Sequence, residues 1–179
     1  MVVFDTATIV LVIDPKSRPP VDPATGIPVT KCKERIDYLI KTLGESRTRI
    51  LIPTPVLAEF LVKAGPSKDK FLKEFLSNKN FLVCPFDQRA AIELAYLEDA
   101  ALKSERTLDP TQTKAKVKFD RQIAAIAKIQ EADCIYTDDG NLAKIARANG
   151  MRTVMTCEIP LPPENPQQSL PLLGSEIEQ

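Results

Sequence analysis

Short apolar runs recur along the chain, and each of them stops at a polar residue or a proline. The runs are rich in β-branched residues and lie at 2–4, 50–52, 81–84, 134–137 and 153–155. Unbroken apolar runs of this length are typical of strands that are buried on both faces of a sheet. We therefore predict a strand at each of them.

Longer segments with apolar residues at helical spacing separate these strands. They cover 30–43, 55–64, 67–77, 87–103, 118–131 and 140–149. Thr30 is the expected N-cap of the first helix, and Gly150 the stop signal of the last. Strands that alternate with helices predict crossover connections and a parallel sheet. Ligands of such sheets bind beyond the carboxyl ends of the strands, where Asp5 and the pair Asp138-Asp139 directly follow predicted strands.

Two proline-rich segments depart from this pattern. Residues 14–29 contain five prolines and predict a loop that leaves the same sheet edge as Asp5. Residues 158–179 are rich in proline and lack periodicity, so we expect an extended or disordered tail. The expected organisation is one domain over residues 1–157, with the 14–29 loop as an insertion, followed by the tail.

Composition limits which side chains could be catalytic. The chain has 24 basic and 24 acidic residues, no histidine, and four cysteines without a C-x-x-C pair. The lack of histidine excludes Ser-His-Asp and Cys-His catalysis, and the glycines form no phosphate-binding loop. A net charge of zero means that any nucleic-acid binding must come from a local patch. Carboxylates, lysines and hydroxyls remain as candidate catalytic groups.

The expected location is the cytoplasm, without a membrane association. The first residues, Met1-Val2-Val3-Phe4-Asp5, lack the basic region of a signal peptide. No apolar run approaches the ~18 residues that a membrane-spanning helix needs.

Five acidic residues are candidates for a metal site: Asp5, Glu59, Asp120, Asp138 and Asp139. Taken singly, each has an ordinary explanation as a helix cap, a dipole-stabilising acid or an exposed helical residue. Taken together, they follow strands at one sheet edge or lie near the starts of helices that open from that edge. Mg²⁺ and Mn²⁺ prefer such hard oxygen ligands, and a nuclease uses these ions to neutralise phosphate and activate water.

The order of these segments resembles the PIN-domain family. Val3-Phe4-Asp5-Thr6 matches its first strand running into Asp-Thr, and Thr54 to Leu61 matches its helix with a glutamate in an apolar context. Asp120 to Ala127 matches Asp-x-x-Ile-Ala-Ala-x-Ala, and Thr137-Asp138-Asp139 matches its strand ending in Thr-x-Asp. The agreement extends from Val2 to about Met155.

This resemblance implies an α/β fold with three layers, α/β/α, around a parallel five-stranded sheet. It implies catalytic and metal-binding roles for Asp5, Glu59, Asp120 and Asp139, with Asp138 in the variable position as a possible extra ligand. Thr6, Thr137 and Asn141 would be accessory polar residues.

The activity that the resemblance implies is Mg²⁺- or Mn²⁺-dependent hydrolysis of single-stranded RNA by an endoribonuclease, leaving a 5′-phosphate and a 3′-hydroxyl. Small PIN proteins that resemble toxins of toxin–antitoxin pairs suggest an antitoxin partner and a homodimer. The long loop 14–29 and the tail depart from compact toxins, and they weaken the toxin assignment more than the nuclease assignment.

Basic residues surround Asp120, and an RNA phosphate clamp would use Lys114, Lys116, Lys118 and Arg121. A solvated linker ahead of a helix explains the same charges equally well. Phe119 is interpreted as buried, so base stacking is not predicted.

Two other functions remain open from the sequence. One is a PIN fold that binds RNA or protein with little or no cleavage. The other is a different Mg²⁺-dependent phosphohydrolase on a Rossmann-like sheet, which the split order of the acids disfavours.

Overall fold

A parallel sheet of five strands forms the centre of the protein. The structure is a computed structural model that describes residues 1–14, 16–103 and 114–163. The strands are β1 (Val2–Phe4), β2 (Ile50–Pro53), β3 (Phe81–Cys84), β4 (Cys134–Tyr136) and β5 (Thr153–Val154). Their spatial order is β3-β2-β1-β4-β5, and every neighbouring pair is parallel. The predicted strands and the predicted parallel sheet are confirmed.

Seven α-helices flank the sheet in the described part of the chain. They are α1 (Thr6–Ile13), α2 (Cys32–Glu45), α3 (Thr54–Ala64), α4 (Lys68–Ser77), α5 (Gln88–Lys103), α6 (Lys114–Ile129) and α7 (Gly140–Ala148). The predicted three-layer α/β/α class is confirmed. The six predicted helices are present, although α6 begins four residues before the predicted start at position 118.

Helix α1 was not predicted, because its residues are mostly β-branched and favour a strand by propensity. The Asp5 side chain caps this helix by accepting the Thr8 backbone N–H at 2.7 Å. Thr8, Ile9 and Leu11 are buried. Burial and a well-made cap therefore outweigh the intrinsic preference of the segment.

The N-cap predicted for α2 is wrong. Position Thr30 lies before the helix, and the capping residue is Lys31, whose backbone is left-handed and whose side chain makes no capping hydrogen bond. The helix instead gains its stability from a buried apolar face that includes Ile36, Leu39 and Leu43.

The core lies between the sheet and the helices on both of its faces. Phe4, Leu51 and Ile135 in three adjacent strands are fully buried. Helix α6 contributes small side chains to this core, and Ala124, Ala125 and Ala127 have no exposed surface. Small residues let the helix backbone approach its neighbours closely, so α6 is fixed tightly over the sheet.

The order of the strands decides where a ligand can bind. From β1 the chain proceeds outward through β2 and β3, and then it crosses to the other side of β1 to form β4 and β5. The connections therefore diverge on either side of β1, which opens a crevice at the carboxyl ends of β1 and β4. Asp5 follows β1, and Asp139 lies three residues after the end of β4.

The proline-rich loop contains a single isolated bridge, between Val21 and Pro28, in its described residues. After β5 the chain makes a 3-10 turn at Thr156–Glu158, and Ile159 then packs into the core. The guanidinium of Arg35 donates a hydrogen bond to the carbonyl oxygen of Ile159. Residues 164–179 of the predicted tail lie outside the described residues. None of the helices in the described part is long and apolar enough to cross a membrane.

Candidate metal site

Asp5 is buried, and both of its side-chain oxygens accept hydrogen bonds. Its Oδ1 accepts the Thr8 N–H at 2.7 Å, and its Oδ2 accepts the Thr137 hydroxyl at 2.5 Å. Burial raises the pKa of Asp5 to about 6, although both of these hydrogen bonds work in the opposite direction. The carboxylate is therefore fixed in position at the end of β1, and each oxygen keeps a lone pair beyond its hydrogen bond.

Asp139 lies at the start of α7 and caps that helix. Its Oδ1 accepts the backbone N–H groups of Asn141 and Leu142, and its own backbone N–H donates to the Thr137 hydroxyl at 3.0 Å. Partial burial alone would raise the pKa of Asp139. The hydrogen bonds from Lys116 and from the backbone outweigh that effect, so the pKa lies below its usual value. Thr137 thus joins the two aspartates by contacting the side chain of Asp5 and the backbone of Asp139.

Glu59 lies on α3 at the accessible rim of the site, where its side chain is 54% exposed. Its Oε2 accepts the Thr6 hydroxyl at 2.6 Å, and its Oε1 pairs with Lys63 at 2.8 Å. Partial burial alone would raise the pKa of Glu59. The pKa nevertheless lies below its usual value, because Lys63 and Thr6 donate hydrogen bonds to the carboxylate and the charges of Lys63 and Lys116 stabilise it. Thr6 therefore ties α1 to the glutamate of α3.

Asp120 is buried, with 6% of its surface exposed, and it follows the first turns of α6. Its Oδ2 is buried and has no hydrogen-bond partner among the described residues. Burial raises the pKa of Asp120 to about 7, and the charges of Asp139, Glu59 and Asp5 add to the rise. These interactions show that the four acids, from four separate elements, share one electrostatic environment, and we call Asp5, Glu59, Asp120 and Asp139 the acid site.

Lys116 also belongs to this environment. It lies one helical turn before Asp120, and its Nζ is 2.7 Å from Oδ2 of Asp139. The hydrogen bond to Asp139 raises the pKa of Lys116, and the charges of Asp139, Asp120 and Glu59 contribute to the rise. A lysine predicted as an RNA contact is thus placed against the acid site itself.

The donor set fits Mg²⁺ or Mn²⁺, because it consists of carboxylate oxygens and includes a buried oxygen without a partner. As they stand, the described residues contain no group of three or more acidic or cysteine side chains in position to hold a metal ion. Two of the four carboxylates are engaged by Lys63 and Lys116. A divalent ion would therefore require these side chains to rearrange.

Asp138 bonds to the turn after β5. Its two oxygens accept the backbone N–H of Thr156 at 2.9 Å and the Thr156 hydroxyl at 2.5 Å. These bonds give Asp138 a structural role, and its metal-binding role stays a prediction. For Asn141, the hydrogen bond to Asp139 comes from the backbone N–H, which any residue except proline would supply.

The predicted RNA-binding residues of α6 differ in their surroundings, and Lys116 already pairs with Asp139. Arg121 pairs with Glu98 of α5 at 3.3 Å, whereas Lys118 is exposed. Lys114 begins the helix, and its side chain lies outside the described set. The interpretation of Phe119 as buried is wrong, because 52% of its surface is exposed directly beside Asp120.

Comparison with known proteins identifies the fold. No family model and no curated protein matches the sequence. FitAcB from Neisseria gonorrhoeae matches with a TM-score of 0.56 and 19% identity, covering 86% of this chain and 96% of that one. VapBC2 from Rickettsia felis, bound to a DNA fragment from its promoter, matches with a TM-score of 0.57 and 17% identity, covering 87% and 98%. This is the PIN fold.

A toxin–antitoxin complex from Klebsiella pneumoniae is similar to this PIN fold as well. Its TM-score is 0.54 at 16% identity, and the match covers 89% of this chain and 100% of that chain. At identities this low, the likeness establishes the fold.

The lysine contacts of the acids in this PIN-fold chain were not predicted: Lys63 was not singled out, and Lys116 was predicted as an RNA contact. Lys116 and Asp120, like Glu59 and Lys63, are four positions apart and therefore share a helix face. That spacing was a signal that both lysines could reach the acid site. The contact between Lys116 and Asp139 depends on how α6 meets α7, which the sequence pattern does not specify.

Proposed function

We propose that this protein is a metal-dependent endoribonuclease that hydrolyses single-stranded RNA at the acid site. The observation that carries the proposal is Asp120, whose buried Oδ2 has no partner among the described residues and lies among three other carboxylates. Burying a carboxylate without a partner is unfavourable, so its presence requires a reason other than stability. A divalent cation is the partner that this oxygen fits best.

The structural explanations that apply to single acids do not extend to the whole site. Asp5 and Asp139 do cap helices, and that role alone would account for them. Asp120 lies inside α6 with an unsatisfied oxygen and caps nothing. Its environment combines burial with like charge, which is typical of functional sites in a crevice.

Asp5, Glu59, Asp120 and Asp139 would hold the ion, which when bound supplies positive charge for the phosphate and an acidic water as nucleophile. Thr137 and the α1 N-terminus fix the position of Asp5, and the α7 N-terminus fixes that of Asp139. Glu59 is the acid that substrate and water reach most easily, because it lies on the open rim. Lys118 and the exposed ring of Phe119, adjacent to Asp120, would contact the RNA phosphates and bases.

The test is cleavage of single-stranded RNA by the full chain with Mn²⁺. Asp5→Asn and Asp139→Asn should each reduce the rate by about 100-fold or more, because they remove ligand charge from a site that a metal must occupy. Asparagine is itself a good N-cap, so both variants should stay folded. Asp133→Asn is the matched control and should retain activity, because Asp133 precedes β4 at the opposite edge of the sheet, where its exposed side chain pairs with the N-terminal ammonium group. Equal cleavage by the wild type and both acid variants would refute the proposal.

A second candidate is a PIN-fold module that binds RNA or protein with little or no cleavage. The lysine contacts of Glu59 and Asp139 favour it, because they occupy oxygens that a catalytic ion needs. RNA binding that is independent of Mn²⁺ and unaffected by Asp5→Asn, together with an absence of cleavage, would support this alternative.

We also propose that a small antitoxin protein holds this nuclease inactive. The support is the likeness to FitAcB, to VapBC2 and to the toxin–antitoxin complex from Klebsiella pneumoniae, together with the order of the acids along the chain. Growth arrest on expression of the wild type, relieved by Asp139→Asn or by a protein encoded in an adjacent reading frame, is the expected result. A homodimer is the further expectation, which light scattering on the purified protein would check.

A further inference from the structure

Lys116 makes an ion pair that reaches across the acid site. Its Nζ lies 2.7 Å from Oδ2 of Asp139, the oxygen of that residue that is not engaged in capping α7. Its charge also favours the ionised forms of Asp120 and Glu59. The ammonium group of Lys116 therefore interacts with three of the four acids. Glu59 lies on α3, Asp120 on α6 and Asp139 directly before α7.

The side chain of Lys116 is partly exposed to solvent. It is 47% exposed, so its charged end is in contact with water as well as with Asp139. A lysine side chain is long and flexible, and it has no fixed geometry for its donors. The packing of α6 comes from other residues, among them Ala124, Ala125 and Ile126, which are fully buried.

We propose that Lys116 is a built-in counter-cation of the acid site that competes with the divalent ion. In the metal-free protein its ammonium group neutralises part of the carboxylate charge. A divalent ion needs Oδ2 of Asp139, so Lys116 must leave as the ion binds. Metal affinity is then set by an exchange of one cation for another. This inference rests on the proposed metal site and adds its regulation.

The test is Mn²⁺ binding to the full chain, measured by calorimetry without RNA. Lys116→Met keeps the unbranched apolar stem and removes the charge, and it should bind Mn²⁺ roughly fivefold more tightly than the wild type, as expected for loss of one partly exposed ion pair. Lys144→Met is the matched control, because Lys144 is exposed on α7 and its loss changes net charge equally. It should bind Mn²⁺ like the wild type.

Thermal unfolding supplies a readout that does not depend on a loaded site. Without metal, Lys116→Met should unfold at a lower temperature than the wild type, because the carboxylates lose their counter-charge. At saturating Mn²⁺ that difference should disappear or reverse, since the ion stabilises the folded state in proportion to its affinity. Lys144→Met should show neither change.

The outcomes separate the two proposals. Mn²⁺ binding by the wild type with equal or weaker binding by Lys116→Met would overturn the competition and leave the metal site intact. Lack of Mn²⁺ binding by every variant would overturn both. Should Lys116→Met fail to fold, Lys116→Arg tests the same idea, because a bidentate arginine–carboxylate pair is harder to displace. It should weaken Mn²⁺ binding severalfold, and equal or tighter binding would contradict the competition.

Discussion

At the scale of single residues, the acid site combines structural and functional demands on the same carboxylates. Asp5 and Asp139 satisfy helix N-termini and also present oxygens to the site. Asp120 has no such compensation for its buried Oδ2. Burial and the charges of Asp139, Glu59 and Asp5 raise the pKa of Asp120 to about 7, so its carboxyl group is partly protonated near neutral pH.

The raised pKa of Asp120 predicts how stability depends on pH without metal. Between about pH 4 and pH 7 the folded state keeps this proton while the unfolded state loses it, so stability falls as the pH rises through that window. A shift of this size corresponds to at most about 4 kcal/mol. Asp120→Asn removes this contribution and should be more stable than the wild type at pH 8, by up to a few kcal/mol.

Urea unfolding in EDTA at pH 5 and pH 8 measures this effect. The advantage of Asp120→Asn over the wild type should be large at pH 8 and small at pH 5. Asp5 titrates in both proteins, so its own raised pKa cancels in the comparison. The same difference in unfolding free energy at both pH values would show that Asp120 does not carry a shifted proton.

The acids could be predicted from the sequence because each follows a strand or lies near the start of a helix, and strand ends converge at one edge of a parallel sheet. The contacts of Lys116 and the exposure of Phe119 could not be predicted from the sequence. Both depend on which face of the first turns of α6 packs against the rest of the molecule. Val117 and Asp120 lie on the buried face, whereas Phe119 lies on the exposed one, against the default that an apolar residue is buried.

At the scale of elements, helix prediction succeeded where an apolar face is opposed by a polar one. Helices α2, α6 and α7 have that pattern and were placed within a few residues. Helix α1 is apolar around most of its circumference and rich in β-branched residues, so its sequence carries no helical periodicity. Its formation depends on Asp5 as a cap and on burial against the rest of the molecule, which is information that local sequence lacks.

The alanines of α6 allow a prediction about how the helix that carries Asp120 is positioned. Ala125 has no exposed surface, so Ala125→Leu should force the helix away from its neighbours and lower the free energy of unfolding by about 1–3 kcal/mol. Ala115→Leu adds the same side chain at an exposed position of α6 and should leave stability nearly unchanged. Chemical denaturation of both variants checks this, and equal stabilities would contradict close packing of α6 at Ala125.

At the scale of the whole molecule, strand order is what assembles the acid site. The strands after β1 are added first on one side of it and then on the other, which sets the carboxyl ends of β1 and β4 side by side. Helices α3 and α6 bring Glu59 and Asp120 to the same place. The alternation of strands and helices predicted a parallel sheet but not the order of its strands. That order follows from long-range packing, and the likeness to FitAcB and VapBC2 shows that the same arrangement occurs in other chains at 17–19% identity.

Titration with Mn²⁺ tests most directly whether the four acids of the site bind a divalent metal ion. Binding is monitored through the loss of the electron paramagnetic resonance signal of the free ion. The wild type and Asp133→Asn should both take up Mn²⁺ saturably, because Asp133 lies at the opposite edge of the sheet and pairs with the N-terminal ammonium group. Asp120→Asn should lose that uptake. Equal uptake of Mn²⁺ by Asp120→Asn and the wild type would contradict the assignment of the acid site.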